Sequence, residues 1–177
     1  MEPAVQLVTC TFEAHGAAML EILNEAILSS TAVWDYEPRT SQRLREWFET
    51  RRTGGYPVVG ALDESGVLLG FASYGAFRAW PAYKYTVEHG VFVHAGARRK
   101  GVGMTLMKYL IALAQQEQYH VLVGAIDGAN TGSIALHERL GFTRAGTVTE
   151  AGFKHGKWLD VVFYQLTLAT PERPVER

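Results

Sequence analysis

Cysteine is nearly missing: Cys10 is the single one in 177 residues. That excludes an intrachain disulfide and a thiolate metal cluster, and it suits a reducing compartment, so the cytoplasm is the expectation. Charge of one sign in excess is missing as well. Lys plus Arg number 17 and Asp plus Glu 18, a net charge of -1, so there is no global field for binding nucleic acid and any anion site must be local. No stretch reaches the roughly 20 apolar residues of a membrane span. The opening MEPAVQLVTC lacks a basic segment followed by an apolar run, so a soluble protein without membrane partners is expected. His15, His89, His94, His120 and His155 show no metal-ligand spacing such as HExxH, and no metal site is expected. Repeats and low-complexity linkers are lacking too. Only the tail ATPERPVER looks unstructured from its prolines and charges, and residues 171–177 are expected to be disordered.

What is there fits one domain, residues 1–170, large enough to bury a hydrophobic core. Alternation in VQLVTCTF predicts a first strand, with Cys10 in it. Helical spacing of Met19, Ile22, Leu23 and Ala26 predicts a helix from about His15 to Leu28. A second helix from about Ser41 to Arg51 carries Leu44, Trp47 and Phe48 as its buried stripe and stops at GGYP. YPVVGAL, the turn DESG and VLLGFASYGAF read as a hairpin. The loop RAWPAY leads to the strand YTVEHGVFVH. Val102, Leu106, Leu110 and Leu113 recur at helical intervals between Gly101 and Gln118, and the short apolar run HVLVGAI reads as a central strand. A helix from about Thr131 to Leu140 ends at Gly141, a C-cap glycine. Strands around TRAGTVTEAG and WLDVVFYQLTL close the sheet. The fold class is mixed α/β (α+β): a mostly antiparallel central sheet flanked by helices, with one parallel crossover.

The hexapeptide RRKGVG concentrates cations at a helix N-terminus, where the macrodipole already repels them. Unpaired N–H groups of a first helical turn make a ready anion site, and glycines at 101 and 103 let a ligand approach the main chain. Arg98, Arg99 and Lys100 make sense if a polyanion sits there; the alternative is a solvated basic turn. The patterns GxxxxGK[ST] and GxGxxG both fail here. What remains, strand then HAGARRKGVG then helix, resembles the acetyl-CoA pyrophosphate loop of the GNAT superfamily of N-acetyltransferases, [RQ]-x-x-G-x-[GA]. Downstream, NTGSIALHERLGF is similar to that superfamily's N-x-x-[AS]-x-x-[LI]-[YH]-x-x-x-G-F in Asn130, Ser133, His137, Gly141 and Phe142. The likeness covers about Val5 to Leu168, and within the superfamily RAWPAYKYTVEHGVFVH and GFKHGKWLDVVFYQLTL resemble the phosphinothricin and methionine sulfoximine (or sulfone) N-acetyltransferases. The resemblance implies the GNAT fold, acetyl-CoA as co-substrate and a homodimer. It also implies a cofactor site made of Val91, Val93, Arg98, Arg99, Lys100, Gly101, Val102, Gly103, Met104, Thr105, Asn130 and Ser133.

Acetyl transfer to an amine needs a proton acceptor, donors for the developing oxyanion and an acid for the leaving thiolate. Alternation in YTVEHGVFV puts Glu88, Gly90 and Phe92 on one face and Val87, His89, Val91 and Val93 on the other. A mid-strand carboxylate tends to have its pKa raised by burial, toward what a base requires, though an edge-strand Glu could simply face solvent. The resemblance implies that Glu88 is the general base. His137 stands where many GNAT enzymes carry a tyrosine acid; it is that acid, a cofactor contact or a packed core histidine. Asn130 bonds the pantetheine arm, caps the next helix, or both.

On the acceptor side, Arg78 precedes the Glu88 strand and suits an α-carboxylate clamp. Trp34, Trp80 and Tyr83 are candidate pocket walls, with ordinary packing as the alternative for each. An aromatic at Trp80 resembles the methionine sulfoximine type, where phosphinothricin enzymes carry a second basic residue. The expected reaction is therefore direct acetylation of the α-amine of small L-amino acids such as methionine sulfone, methionine sulfoximine or phosphinothricin. The competing readings are acetylation of a protein N-terminus or polyamine, and a non-catalytic acyl-CoA sensor. WLDVVFYQLTL supplies either a dimer interface or a central strand of the sheet.

Overall fold

The computed structural model describes residues 4–176; residues 1–3 of the opening stretch and residue 177 of the tail lie outside the described residues. The element order is β1 (Gln6–Thr9), α1 (Phe12–Ser29), α2 (Ser41–Thr53), β2 (Val58–Leu62), β3 (Leu68–Ala76), β4 (Thr86–Val93), α3 (Val102–Gln116), β5 (Val121–Asp127), α4 (Thr131–Arg139), β6 (Thr143–Lys154) and β7 (Lys157–Thr167). The strands form a seven-stranded sheet in the order β1-β2-β3-β4-β5-β7-β6. The β1–β2, β2–β3, β5–β7 and β6–β7 ladders are antiparallel, and β4–β5 is the parallel crossover. No helix among the described residues is long and apolar enough to cross a membrane.

The chain expected as one domain divides into two compact units that share β3 and β4. One holds the chain up to Ser73 with Gly90–Lys108; the other holds Tyr74–His89 and the chain from Tyr109 on. In the first, Met19, Ile22, Leu23, Leu44, Val58, Leu68 and Phe71 form the core. Each large side chain there contributes about 1.5–3 kcal/mol through its burial. The first strand ends before Cys10 because the Thr11 hydroxyl accepts from the Ala14 N–H and opens α1 three residues earlier than the apolar spacing announces. Cys10 is buried just beyond that strand, and burial pushes its thiol up to about 12.

In the second unit Leu122, Ile126, Phe142, Leu159, Val162 and Tyr164 are buried. WLDVVFYQLTL is interior: β7 runs between β5 and β6, and β6 is the edge. From Thr143 to Ala151 every residue of β6 is exposed. Gly141 takes φ +87°, as a helix C-cap glycine does. The tail after Thr170 has no regular secondary structure, yet Val175 both donates to and accepts from the Tyr85 hydroxyl, at 3.0 and 3.2 Å.

Candidate active site

The basic loop is a feature of the first unit. β4 ends at Val93, a single 3-10 turn covers Ala95–Ala97 with the His94 side chain accepting from the Gly96 N–H, and α3 begins at Val102. Between them Arg99 has φ +63° and Gly101 φ +86°. A left-handed arginine costs of order 1 kcal/mol, so the turn is imposed by its surroundings. Backbone that changes hand in this way turns successive N–H groups toward one side, an anion-binding concavity. The first helical bond is Thr105 N–H to Gly101 O at 3.0 Å, and the N–H groups of Val102, Gly103 and Met104 have no intrahelical acceptor. Arg99 and Lys100 are exposed, and Val91, Val93, Gly103, Met104 and Thr105 are half-buried.

Arg98 is engaged differently. Its Nε donates to Val93 O at 3.2 Å and its Nη2 to Glu25 Oε2 on α1. That guanidinium fastens the loop to its own scaffold, a partner 73 residues away that no local pattern reveals. Trp34 also lies in this unit, half-buried, with Nε1 donating to Thr31 O at 2.9 Å.

The second unit places Glu88 next to Arg78. The Glu88 side chain is 37 % exposed, and Arg78 Nη1 stands 3.7 Å from Oε2. Desolvation raises the Glu88 pKa and the Arg78 charge works against that rise. The group is thus more basic than an ordinary glutamate. Arg78 is itself committed: Nη1 donates to Phe77 O at 2.6 Å, and the guanidinium lies 4.1 Å from the centroid of the Phe77 ring. Phe77 meets Tyr83 edge-on at 5.6 Å, and Trp80 follows at 6.5 Å from Tyr83. Trp80 is 67 % exposed, so this aromatic row fronts solvent and is not core packing.

The opposite face of β4 holds a pair missed in the sequence. His89 Nε2 and His137 Nε2 are 2.8 Å apart, and His137 Nδ1 lies 2.7 Å from Ser133 O. A carbonyl can only accept, so His137 carries its proton on Nδ1, and His89 donates from Nε2. His89 Nδ1 is then a buried lone pair without a partner among the described residues. Burial drives the His89 pKa down to about 3, helped by His137, and lowers that of His137 as well. The rings stack at 5.1 Å, Phe142 packs edge-on against both, and a Cβ at Gly124 would sit 3.1 Å from His137 Nε2 and 3.1 Å from His89 Cε1. His137 is 2 % exposed with both ring nitrogens engaged. Asn130 caps α4, its Oδ1 accepting from the Ser133 N–H at 3.1 Å.

The structure therefore groups Glu88, Arg78, Trp80 and Tyr83 in one unit, beside Asn130, Ser133 and His137, and the loop residues with Trp34 in the other. The loop suits a pyrophosphate: glycine at a left-handed position, free first-turn amides and two exposed cations.

The pattern of the acetyltransferase (GNAT) family matches residues 18–142. The L-methionine sulfoximine/L-methionine sulfone acetyltransferase of Pseudomonas aeruginosa strain PAO1 is 43 % identical over 150 residues, 85 % of this chain and 87 % of that protein. The phosphinothricin N-acetyltransferase of Streptomyces viridochromogenes is 39 % identical over 92 % of this chain and 88 % of its own length. The structure of yncA from Salmonella typhimurium with its cofactor acetyl-CoA superposes with a TM-score of 0.91 at 37 % identity, covering 97 % of this chain and 98 % of that one.

Proposed function

The chain belongs to the acetyltransferase (GNAT) family, and from that premise we propose that it transfers the acetyl group of acetyl-CoA to the α-amine of small L-amino acids such as methionine sulfone, methionine sulfoximine or phosphinothricin. The observation that carries the mechanism is Glu88, half-buried mid-strand with its pKa raised by desolvation and Arg78 at 3.7 Å. Bound acetyl-CoA supplies an acyl thioester. An α-ammonium must lose a proton before its nitrogen can attack, and Glu88 accepts it, directly or through a water. The new C–N bond forms as the C–S bond breaks, the acylated nitrogen sheds its surplus proton and the leaving thiolate takes up one proton in turn, and Glu88 returns its own to solvent. No covalent enzyme intermediate is needed, and Cys10, buried with its thiol pushed up to about 12, is not a nucleophile.

The free amides at Val102, Gly103 and Met104, with Arg99 and Lys100, would hold the pyrophosphate, and Val91 and Val93 would border the arm of the cofactor. Asn130 keeps its Nδ2 for that arm while its Oδ1 caps α4. Of the readings open for His137, the engaged ring nitrogens support the packed histidine, which seats α4 against β4 and β5. Trp80 and Tyr83 would wall the acceptor. A cytoplasmic homodimer completes the proposal, with β6, Phe153 and Trp158 as the exposed surface that a second copy would cover.

The test is free-thiol release from acetyl-CoA with the sulfone, the sulfoximine, phosphinothricin, the ordinary amino acids, a polyamine and an N-terminal peptide. Turnover confined to small amino acids supports the proposal. Turnover of the peptide or the polyamine alone contradicts it, and tight acetyl-CoA binding without turnover of any acceptor favours a sensor.

A further inference from the structure

Arg98, Arg99 and Lys100 follow one another in the loop, yet the fold treats the first apart from the other two. Among the described residues neither Arg99 nor Lys100 stands within ion-pair distance of a carboxylate, whereas Arg98 does. Its partner, Glu25, sits one turn before the C-terminal end of α1. Both carboxylate oxygens of Glu25 are engaged: Oε2 accepts from Arg98 Nη2, and Oε1 accepts from Ser29 Oγ at 2.8 Å. All of these residues belong to the first unit.

Each half of the pair is out of place on its own. A carboxylate near a helix C-terminus opposes the macrodipole, and the last turn of α1 carries no basic residue. Three cations ahead of α3 oppose the macrodipole of that helix in the same way. The contact offsets both. It also has a firm base, because Ala26 and Ile27, next to Glu25, are buried with Val33, and Phe92 of β4 packs against them. The Nε of the same guanidinium donates to Val93 O, at the last residue of β4. Arg98 is therefore tied to α1 and to β4 at once, and the residue after it is Arg99 at φ +63°. A left-handed arginine persists only where its surroundings restrain it, and the tie at Arg98 is a restraint one residue away. Without that tie Arg99 can relax, and the amides that follow lose their common direction.

We propose that Glu25 is a positioning residue of the pyrophosphate loop. It holds Arg98 as a staple, and Arg99, Lys100 and the first-turn amides of α3 are left to meet the anion. The assignment rests on the acetyl-CoA-dependent reaction proposed for this chain, and it reverses a simple electrostatic expectation. A carboxylate beside a polyanion site repels the ligand, so its removal would tighten binding; removal of a positioning residue weakens it.

The experiment measures Kd for acetyl-CoA by calorimetry, kcat at saturating acetyl-CoA with L-methionine sulfone, and the thermal midpoint of the ligand-free protein. The variants are Glu25→Gln, Arg98→Met, Arg98→Lys and the double variant Glu25→Gln/Arg98→Met. Glu25→Gln should raise Kd by about three- to tenfold, the worth of one hydrogen-bonded contact. In the Arg98→Met background the same substitution should weaken binding no further, since no staple is left to hold. Arg98→Lys should recover part of the Arg98→Met loss, and it carries the comparison if the methionine variant does not fold. For Glu25→Gln, kcat should stay within about twofold, as expected when only binding is lost. Its midpoint should stay within about 3 °C, because a half-exposed pair adds little to stability. A Kd for Glu25→Gln that is unchanged or lower would overturn the assignment. So would losses that add in the double variant, which would make Arg98 a direct phosphate ligand, or a lowered midpoint with Kd unchanged, which would make the pair a strut of the fold. Wild-type binding of acetyl-CoA beside any of these results leaves the cofactor reading standing. A wild type that binds no acetyl-CoA removes that reading and this one together.

Discussion

Glu88 and His89 are neighbours on β4, yet the two faces of the strand use them in opposite ways. Glu88 stands half-exposed with Arg78 beside it and its pKa raised by desolvation; His89 is buried, neutral and bonded to a second histidine. Desolvation acts on both. It makes the carboxylate a stronger base and therefore a better chemical group, and it makes the imidazole a weaker base and therefore an architectural one. One strand thus holds the proposed base and a packed histidine on opposite faces by side-chain alternation alone.

The most forceful way to break that contrast is Glu88→Gln, which keeps shape and removes the base. Turnover should fall by about 10²-fold or more, roughly 3 kcal/mol in activation free energy, with the thermal midpoint unchanged. His137→Ala should do the reverse. It leaves Ser133 O without its donor, His89 Nε2–H without its acceptor and a void against Phe142, for a loss of about 3 kcal/mol in denaturant-measured stability and a lesser effect on kcat of the folded fraction.

Acidification sharpens the contrast from the other side. The His89 pKa is depressed to about 3 from 6.5. Between those values the unfolded chain binds a proton that the folded chain refuses, so stability is complete above pH 6.5 and falls as pH drops. At pH 5 the loss from this group is about 2 kcal/mol, readable from urea unfolding at pH 7.5 and pH 5. A flat profile would mean that the pair is not closed to protons. The smallest effect is expected from Arg78→Met. Without the guanidinium that lowers the Glu88 pKa, the acid limb of kcat/KM should move to higher pH while the protein keeps its stability.

The loop was legible in the sequence because its fixed positions are backbone requirements: Gly101 is a glycine since φ is +86° there. The order of helices and strands was legible from apolar periodicity, and Glu88's face from alternation. What escaped reading depends on partners far apart in the chain. His89 and His137 are 48 residues apart, Glu25 and Arg98 73. Neither pair has a spacing rule to announce it. β6 runs past the expected TRAGTVTEAG to Lys154, where Phe153 and Lys154 pair with Trp158 and Lys157 of β7, and the ladder absorbs an irregularity at Glu150, at φ +52°, whose N–H donates to Asp160 Oδ1 at 2.8 Å. For β7, sequence could not choose between interface and interior, since both call for the same apolar strand.

The central claim, that Glu88 is the proton acceptor, is tested most directly by the pH dependence of kcat/KM for L-methionine sulfone in the wild type and in Glu88→Gln. The account predicts a wild-type acid limb governed by a group more basic than an ordinary glutamate, and the disappearance of that limb in the variant. An acid limb of the same position in both enzymes would assign the proton transfer to another group and contradict it.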